Sequence, residues 1–160
     1  MRVGFGGGCH WCTEAVFQSL HGVSRVEQGY IRSMPPDDAW SEAVIVHFEP
    51  ETTRLETLID AHLHTHSATK RHALRERYRS AVYVFGPAQK RAACEAITAL
   101  QAAFSDRLIT RVLPFAAFRP SDERNQNYFR KHPEAPFSQR YIQPKLERLQ
   151  SRFAVQAPRR

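Results

Sequence analysis

Short apolar runs alternate with stretches of helical period along this chain, and the connections between them are brief. No other property of the sequence restricts the possible folds as much. Arg2–Phe5 reads as a first strand that runs into Gly6-Gly7-Gly8. A helix is expected from about Trp11 to Leu20, stopped by His21-Gly22. Val23–Ile31 and Glu42–Phe48 read as strands. An irregular stretch holding Pro35-Pro36 separates them, and Glu49-Pro50 closes the second. Thr53–His64 places Leu55, Leu58, Ile59 and Leu63 on one helical face. Arg79–Phe85 is a near-continuous apolar run, which predicts a central strand. Gly86-Pro87 opens a long helix ending near Phe104, with Ala93, Ile97, Leu100 and Phe104 sharing a face. Leu108–Leu113 reads as a further strand, Ser121 as the cap of a helix reaching about Lys131, and Pro144–Arg152 as a last helical turn or two. The order β-α-β-β-α-β-α-β-α, without repeats or linkers, predicts one α+β layered domain over residues 1–160, long enough to bury a core.

With 42% hydrophobic and 24% charged residues the composition is that of a globular protein, and no apolar run approaches membrane-spanning length. The first strand follows Met1 at once and leaves no room for a signal peptide, so a cytoplasmic protein without membrane contact is expected. Three cysteines do not make a disulfide scaffold. Cys94 lies in the Ala88–Phe104 helix and is expected to be buried as a small hydrophobe. The net charge is +7, with basic residues gathered at Lys70–Arg79 and Arg148–Arg160. Arg75, Arg77 and Arg79 alternate as solvent-facing residues leading into a strand would. A nucleic-acid-binding role for this face would lack any helix-turn-helix, RNA-binding or finger motif, and no nucleic-acid partner is expected.

The chemistry concentrates in Val3–Phe17, where three glycines deliver Cys9 to the start of a helix. Unpaired N–H groups and the helix dipole favour thiolate over thiol there. Cys9 and Cys12 form a C-x-x-C, a spacing that is more often catalytic, redox or metal-binding than structural in a reducing compartment. Three uses stay open on these residues alone: a nucleophilic or redox thiol, a metal site, or a glycine turn with two buried cysteines. A zinc or other metal site would draw on Cys9, His10, Cys12, His62, His64, His66 and His72. His62 and His66 share a helix face while His64 does not, and no second Cys or His pair stands at finger spacing.

Gly8-Cys9-His10-Trp11-Cys12, with Glu14 and Gly22-Val23, resembles peptide methionine sulfoxide reductases of the A type, which carry Gly-Cys-Phe-Trp at this place. Further segments match in order along nearly the whole chain. They are Gly29-Tyr30, Ser41-Glu42-Ala43-Val44, His66, Tyr78-Arg79-Ser80-Ala81, Gln126-Asn127-Tyr128 and Pro144-Lys145-Leu146. The resemblance implies a two-layer α+β sandwich, ferredoxin-like, with a mixed β-sheet and flanking helices. It also implies reduction of methionine S-sulfoxide, free or in proteins, without a metal or other cofactor.

Such a reaction needs a thiolate to attack sulfur and an acid to protonate oxygen. The resemblance makes Cys9 the nucleophile, leaving a sulfenic acid on it. Glu42 becomes the acid, with its proton held by an apolar surrounding, and Tyr78 a second donor to the sulfoxide oxygen. Trp11 becomes the apolar wall for the substrate methyl group. His10, at the family's Phe position, is expected to line the same pocket. Family members commonly return the oxidised cysteine to thiol with another cysteine near the C-terminus, but Pro136-Phe137-Ser138-Gln139-Arg140 has Ser138 there. Cys12 is the expected resolving thiol, followed by thioredoxin or a similar thiol donor, and direct reduction of Cys9 by an external thiol is the alternative. The loop after Tyr30 lacks the family's Asn-Pro-Thr-Tyr, with only Trp40 nearby, and Ala73 stands where an acidic residue is usual. Glu76 and His72 lie close to that position. A monomer is expected.

Overall fold

The computed structural model describes residues 1–71 and 73–155. Among these residues six strands form one sheet: β1 (Arg2–Gly6), β2 (Val23–Arg32), β3 (Ser41–Phe48), β4 (Ala81–Val84), β5 (Arg111–Pro114) and β6 (Ala117–Pro120). The helices are α1 (His10–Gln18), α2 (Leu55–Thr65), α3 (Pro87–Leu100), α4 (Tyr128–Lys131) and α5 (Gln143–Gln150). The strand order is β5-β4-β1-β3-β2-β6. Its inner four strands are antiparallel neighbours connected as β1-α1-β2-β3-α2-β4, which is the ferredoxin-like arrangement. β5 joins parallel to β4 and β6 antiparallel to β2, so the sheet is mixed, as the resemblance implied.

Alternation along the strands sorts side chains to two faces. Val3 and Phe5 of β1 stand opposite Val46 and Val44 of β3 and share their face with Val82 and Val84. All of the larger helices close on this face through residues such as Phe17, Leu58, Ala93 and Leu149. Phe5 stacks on Phe17 at 4.4 Å between ring centres and both are fully buried, so truncating either would cost about 3–5 kcal/mol. The opposite face carries a smaller cluster built from the strands alone: Ile31, Ala43, Ile45, Ala81, Tyr83 and Leu113. A Cβ on Gly4 would stand 2.9 Å from Tyr83, so the glycine is what lets that ring cross the centre of the sheet. The result is the expected two-layer α+β architecture.

Four expectations need correction. β6 has no apolar alternation in Ala117–Pro120 to announce it, and it exists because the edge of β2 offers Gly29–Arg32 for pairing. The helix expected from Ser121 to Lys131 is interrupted instead. A single 3₁₀ turn at Glu123–Asn125 is followed by extended Gln126 and left-handed Asn127 (φ 56°), and only then by α4. Ser121 does not cap it, because its hydroxyl donates to Gln28 Oε1 at 2.6 Å. Cys94 is exposed on α3 rather than buried, because Ala93 and Ala96 form the contact face of that helix. Finally, the three alternating arginines are not free solvent-facing charges. Arg79 is buried and bonds Tyr83 Oη and Ala39 O, Arg75 ties Ser67, Lys70, Tyr78 and Gly7 carbonyls together, and Arg77 turns to Glu42.

Candidate active site

β1 delivers the glycine turn to the start of α1. Gly7 has φ +154°, and a Cβ there would run into the His66 imidazole. Cys9 is the N-cap of α1, its carbonyl accepting from Cys12 N at 3.1 Å and Thr13 N at 3.2 Å. Its side chain is half-buried. The Cys12 S–H donates to the Cys9 sulfur, and the backbone N–H groups of Trp11 and Cys12 add to it. Together these hold the Cys9 thiol below its ordinary range against the opposing effects of burial and the Glu42 charge. Cys12 shows the reverse: serving as that donor, burial and the Cys9 charge push its thiol far up. Cys9 is thereby the more readily ionised of the two thiols, while Cys12 holds its proton.

Glu42 lies on β3, buried, and receives the His10 backbone N–H at 3.3 Å on Oε1 and the Arg77 Nε–H at 3.0 Å on Oε2. His10 Nε2 stands 3.4 Å from Oε1, while its Nδ1–H donates to Gly29 O at 2.9 Å. The apolar surrounding expected for this carboxyl is therefore wrong, since cationic and N–H partners face both of its oxygens. Tyr78 is half-buried beside it. Burial first, and then the charges of Glu42 and Cys9, push its phenol up, which keeps the hydroxyl protonated and able to donate. His10 sits under Glu42, edge-on to Tyr30 at 5.3 Å, rather than beside Trp11 in an apolar wall.

Trp11 stacks on Tyr128 with ring centres 3.9 Å apart and planes 2° from parallel, and meets Phe137 edge-on at 5.3 Å. The buried Trp11 Nε1 has no hydrogen-bond partner among the described residues. This aromatic wall is held by Glu14, whose carboxylate accepts the backbone N–H of Asn127 and of Tyr128 at 3.0 and 3.2 Å. Gln28 binds Glu14 and Asn125 O, and Gln126 binds Gln28 O.

On the Cys12 side of the nucleophile a pocket of about 230 Å³ is lined by Cys9, Cys12, His62, His66, Tyr141 and Lys145. Lys145 Nζ donates to Thr65 O at the end of α2. Behind the pocket His62 Nε2–H donates to Gly6 O at 2.7 Å, and His66 Nδ1–H donates to His62 O at 2.5 Å. His66 Nε2 then accepts from Ser80 Oγ at 2.8 Å. Burial holds both imidazoles neutral, His62 well below its ordinary range and His66 at about 4. Ser138 is fully buried and bonds His132 O at 2.6 Å.

The structure thus brings Cys9, Cys12, Glu42, Tyr78, Trp11 and His10 to one end of the sheet. Among the described residues no group of three His, Cys, Asp or Glu side chains could hold a metal ion. The zinc alternative therefore has no donor set there, since His62 and His66 spend ring nitrogens on Gly6, His62 and Ser80, and His64 pairs with Asp60 at 2.8 Å. His72 lies outside the described residues. Sequence reasoning missed Arg77, Tyr128, Phe137 and Lys145 as site residues. Tyr128 and Lys145 stood within matched segments, but nothing in their spacing indicated a place beside Cys9.

A family model for peptide methionine sulfoxide reductase matches residues 1–157. The peptide methionine sulfoxide reductase MsrA of Acinetobacter baumannii is 32% identical, with 93% of this chain and 94% of the relative covered. A structure of methionine sulfoxide reductase A of Corynebacterium diphtheriae superposes with a TM-score of 0.70 at 25% identity, covering 84% of this chain and 76% of that one. The structure of Mxr1 from Saccharomyces cerevisiae in complex with Trx2 shares the fold at a TM-score of 0.62 and 17% identity, covering 80% and 84%. An activated thiol at a helix start, beside a carboxyl, a phenol and an aromatic wall, suits reduction of a sulfoxide, and with these matches the chain belongs to the peptide methionine sulfoxide reductase family, whose thiol-dependent return of methionine sulfoxide to methionine is its activity.

Proposed function

We propose that the chain reduces the S epimer of methionine sulfoxide, free or in proteins, by direct attack of Cys9. The observation that carries this reading is Cys9 at the N-cap of α1, its thiol lowered from the ordinary range, with Glu42 and Tyr78 within electrostatic reach. The thiolate pair forms a bond to the sulfoxide sulfur, and the S–O oxygen takes a proton from the Tyr78 hydroxyl or from a Glu42 carboxyl that has taken one up from solvent. The new bond between the two sulfurs and the substrate S–O bond then break as the oxygen passes to Cys9, leaving Cys9–S–OH and methionine, so that Cys9 is oxidised and the substrate sulfur reduced. Trp11, backed by Tyr128 and Phe137, supplies the apolar surface for the methyl group. His10 acts as a positioning residue, its backbone N–H holding one oxygen of Glu42.

Regeneration falls to Cys12. Its thiol lines the same pocket as Cys9, whereas Ser138 has no thiol to offer and Cys94 lies exposed on α3. The Cys9–Cys12 disulfide is then reduced by thioredoxin or a similar thiol donor, in keeping with the fold shared with Mxr1 in its complex with Trx2. The chain works as a single domain and a monomer in the cytoplasm, a reducing compartment that suits its free thiols, without cofactor, nucleic acid or membrane. No helix among the described residues is long and apolar enough to cross a membrane. Separated R and S epimers, offered with a thiol reductant, test the reading. Turnover is expected with the S epimer only, none in Cys9→Ser, and a loss of about 10²–10⁴-fold in Glu42→Gln. Equal use of both epimers, or an active Cys9→Ser variant, would overturn it.

A further inference from the structure

Lys145 is a cation that the attack on sulfoxide does not use. It reaches from α5 into the pocket that Cys9 and Cys12 share, and its Nζ is anchored on the Thr65 carbonyl. Among the described residues no carboxylate pairs with it. A half-buried ammonium without a counter-ion is costly unless something nearby takes a negative charge. Among the described residues lining this pocket, those that can do so are Cys9, Cys12 and Tyr141, and the other ionisable side chains there are the neutral imidazoles of His62 and His66.

The two cysteines do not feel Lys145 equally. Cys9 is governed first by the Cys12 S–H, burial, the α1 N–H groups and Glu42, whereas Lys145 is the foremost charge that favours a thiolate on Cys12, and the Lys145 ammonium is in turn supported first by Cys12 and less by Cys9. While Cys9 is a thiolate, the Cys12 proton is engaged as its donor. After oxygen transfer Cys9 carries a neutral sulfenic acid, and the negative charge that held the Cys12 proton is gone. The cation of the pocket then faces a thiol free to ionise.

We propose that Lys145 is the residue that activates Cys12 for regeneration, stabilising the Cys12 thiolate once Cys9 has become a sulfenic acid. This rests on the reading of Cys12 as the resolving thiol. In the step concerned, the Cys12 sulfur pair forms the S–S bond as the Cys9 S–O bond breaks. The proton lost from Cys12 ends on the departing oxygen as water. Cys12 is oxidised, the Cys9 sulfur is reduced from sulfenic acid to disulfide, and no outside reductant enters until the disulfide is opened.

The experiment is a single turnover with one equivalent of methionine S-sulfoxide and no reductant. It follows methionine release, closure of the Cys9–Cys12 disulfide by loss of two mass units, and trapping of Cys9–S–OH by dimedone. Release reports attack and an intact fold, and closure is read relative to it. In Lys145→Met, closure slows at least 10-fold and dimedone adduct accumulates, while Lys145→Arg stays within about 3-fold of the parent. Across pH the closure rate of Lys145→Met also rises at a higher midpoint than that of the parent. The other charged or titratable groups facing this thiol are Cys9 on α1, Glu42 on β3, His62 and His66 at the end of α2, and Tyr141 and Arg148 on the C-terminal segment. They are identical in both chains. Closure in Lys145→Met at the parent rate and midpoint overturns the proposal, as does equal slowing in Met and Arg variants, which would mark a packing role. If the parent chain forms no Cys9–Cys12 disulfide and Cys12→Ser keeps full thioredoxin-driven turnover, it is the resolving role of Cys12 that fails, and the role of Lys145 falls with it.

Discussion

Cys9 and Cys12 stand three residues apart on the same helix start, yet their thiols are displaced in opposite directions because one donates a hydrogen bond to the other. Removing the donor should therefore show on the acceptor. In Cys12→Ala the Cys9 thiolate keeps the N–H groups of α1 and loses its foremost stabilisation, so its pKa rises. The rate of Cys9 alkylation by iodoacetamide, followed against pH by mass spectrometry, should then reach its midpoint at a higher pH than in the parent, whose midpoint lies below that of an ordinary thiol. Cys12→Ser retains an O–H donor and should lie between the two. An unmoved midpoint in Cys12→Ala would leave the helix start alone as the source of activation. At this scale the sequence was informative about Cys9, because a glycine turn before a helix is a local pattern with a local electrostatic consequence. Arg77 was illegible: strand alternation sent its side chain to solvent, and nothing local records that Glu42, 35 residues earlier, draws it back.

Elements were legible where their pattern is repeated. Thr53–His64 carries four apolar residues on one face and α2 forms over Leu55–Thr65. Leu108–Leu113 and Ser121–Lys131 were less so, because tertiary partners decide their conformation. The second of these is opened by buried Glu14 of α1, which accepts the Asn127 and Tyr128 N–H groups, and by Gln28 of β2, which donates to the Asn125 carbonyl and accepts the Ser121 hydroxyl, so that backbone groups a continuous helix would pair internally are spent outside it. The left-handed Asn127 that follows turns Tyr128 onto Trp11. This makes Glu14 a positioning residue for the proposed methyl-binding wall, at a distance from the chemistry. Burial raises its carboxyl while the N–H groups of Asn127 and Tyr128 and the amide of Gln28 work against the rise. Glu14→Gln replaces two acceptor oxygens by one and should release the Asn127–Tyr128 turn. The expected result is a KM for methionine sulfoxide raised about 10-fold, with the alkylation profile of Cys9 unchanged. A fall in kcat at constant KM would place Glu14 in a different role.

For the molecule as a whole, the buried pair behind the site ties stability to acidity. His62 and His66 stack at 4.1 Å and connect the glycine turn through Ser80 to Thr110 beside β5, so the same contacts hold the sheet together and leave room for Gly7. Both imidazoles bind protons more weakly folded than unfolded, His66 at about 4 against 6.5. The unfolded chain therefore takes up protons first as pH falls. The stability these two groups lend is complete above about pH 6.5 and is lost progressively toward pH 4. Glu14, raised in the folded state, works in the opposite sense over acidic pH, and the growing positive charge of a chain already at +7 adds repulsion. A comparison of variants separates the histidine contribution from these. His66→Asn should be less stable than the parent at pH 7, since it gives up the stack on His62. It should also lose about 1–2 kcal/mol less between pH 7 and pH 5 in urea unfolding, because one buried imidazole no longer has to resist protonation. Parallel losses in the two chains would show that the acid sensitivity of the fold lies with its carboxylates and net charge rather than with the histidines beneath the glycine turn.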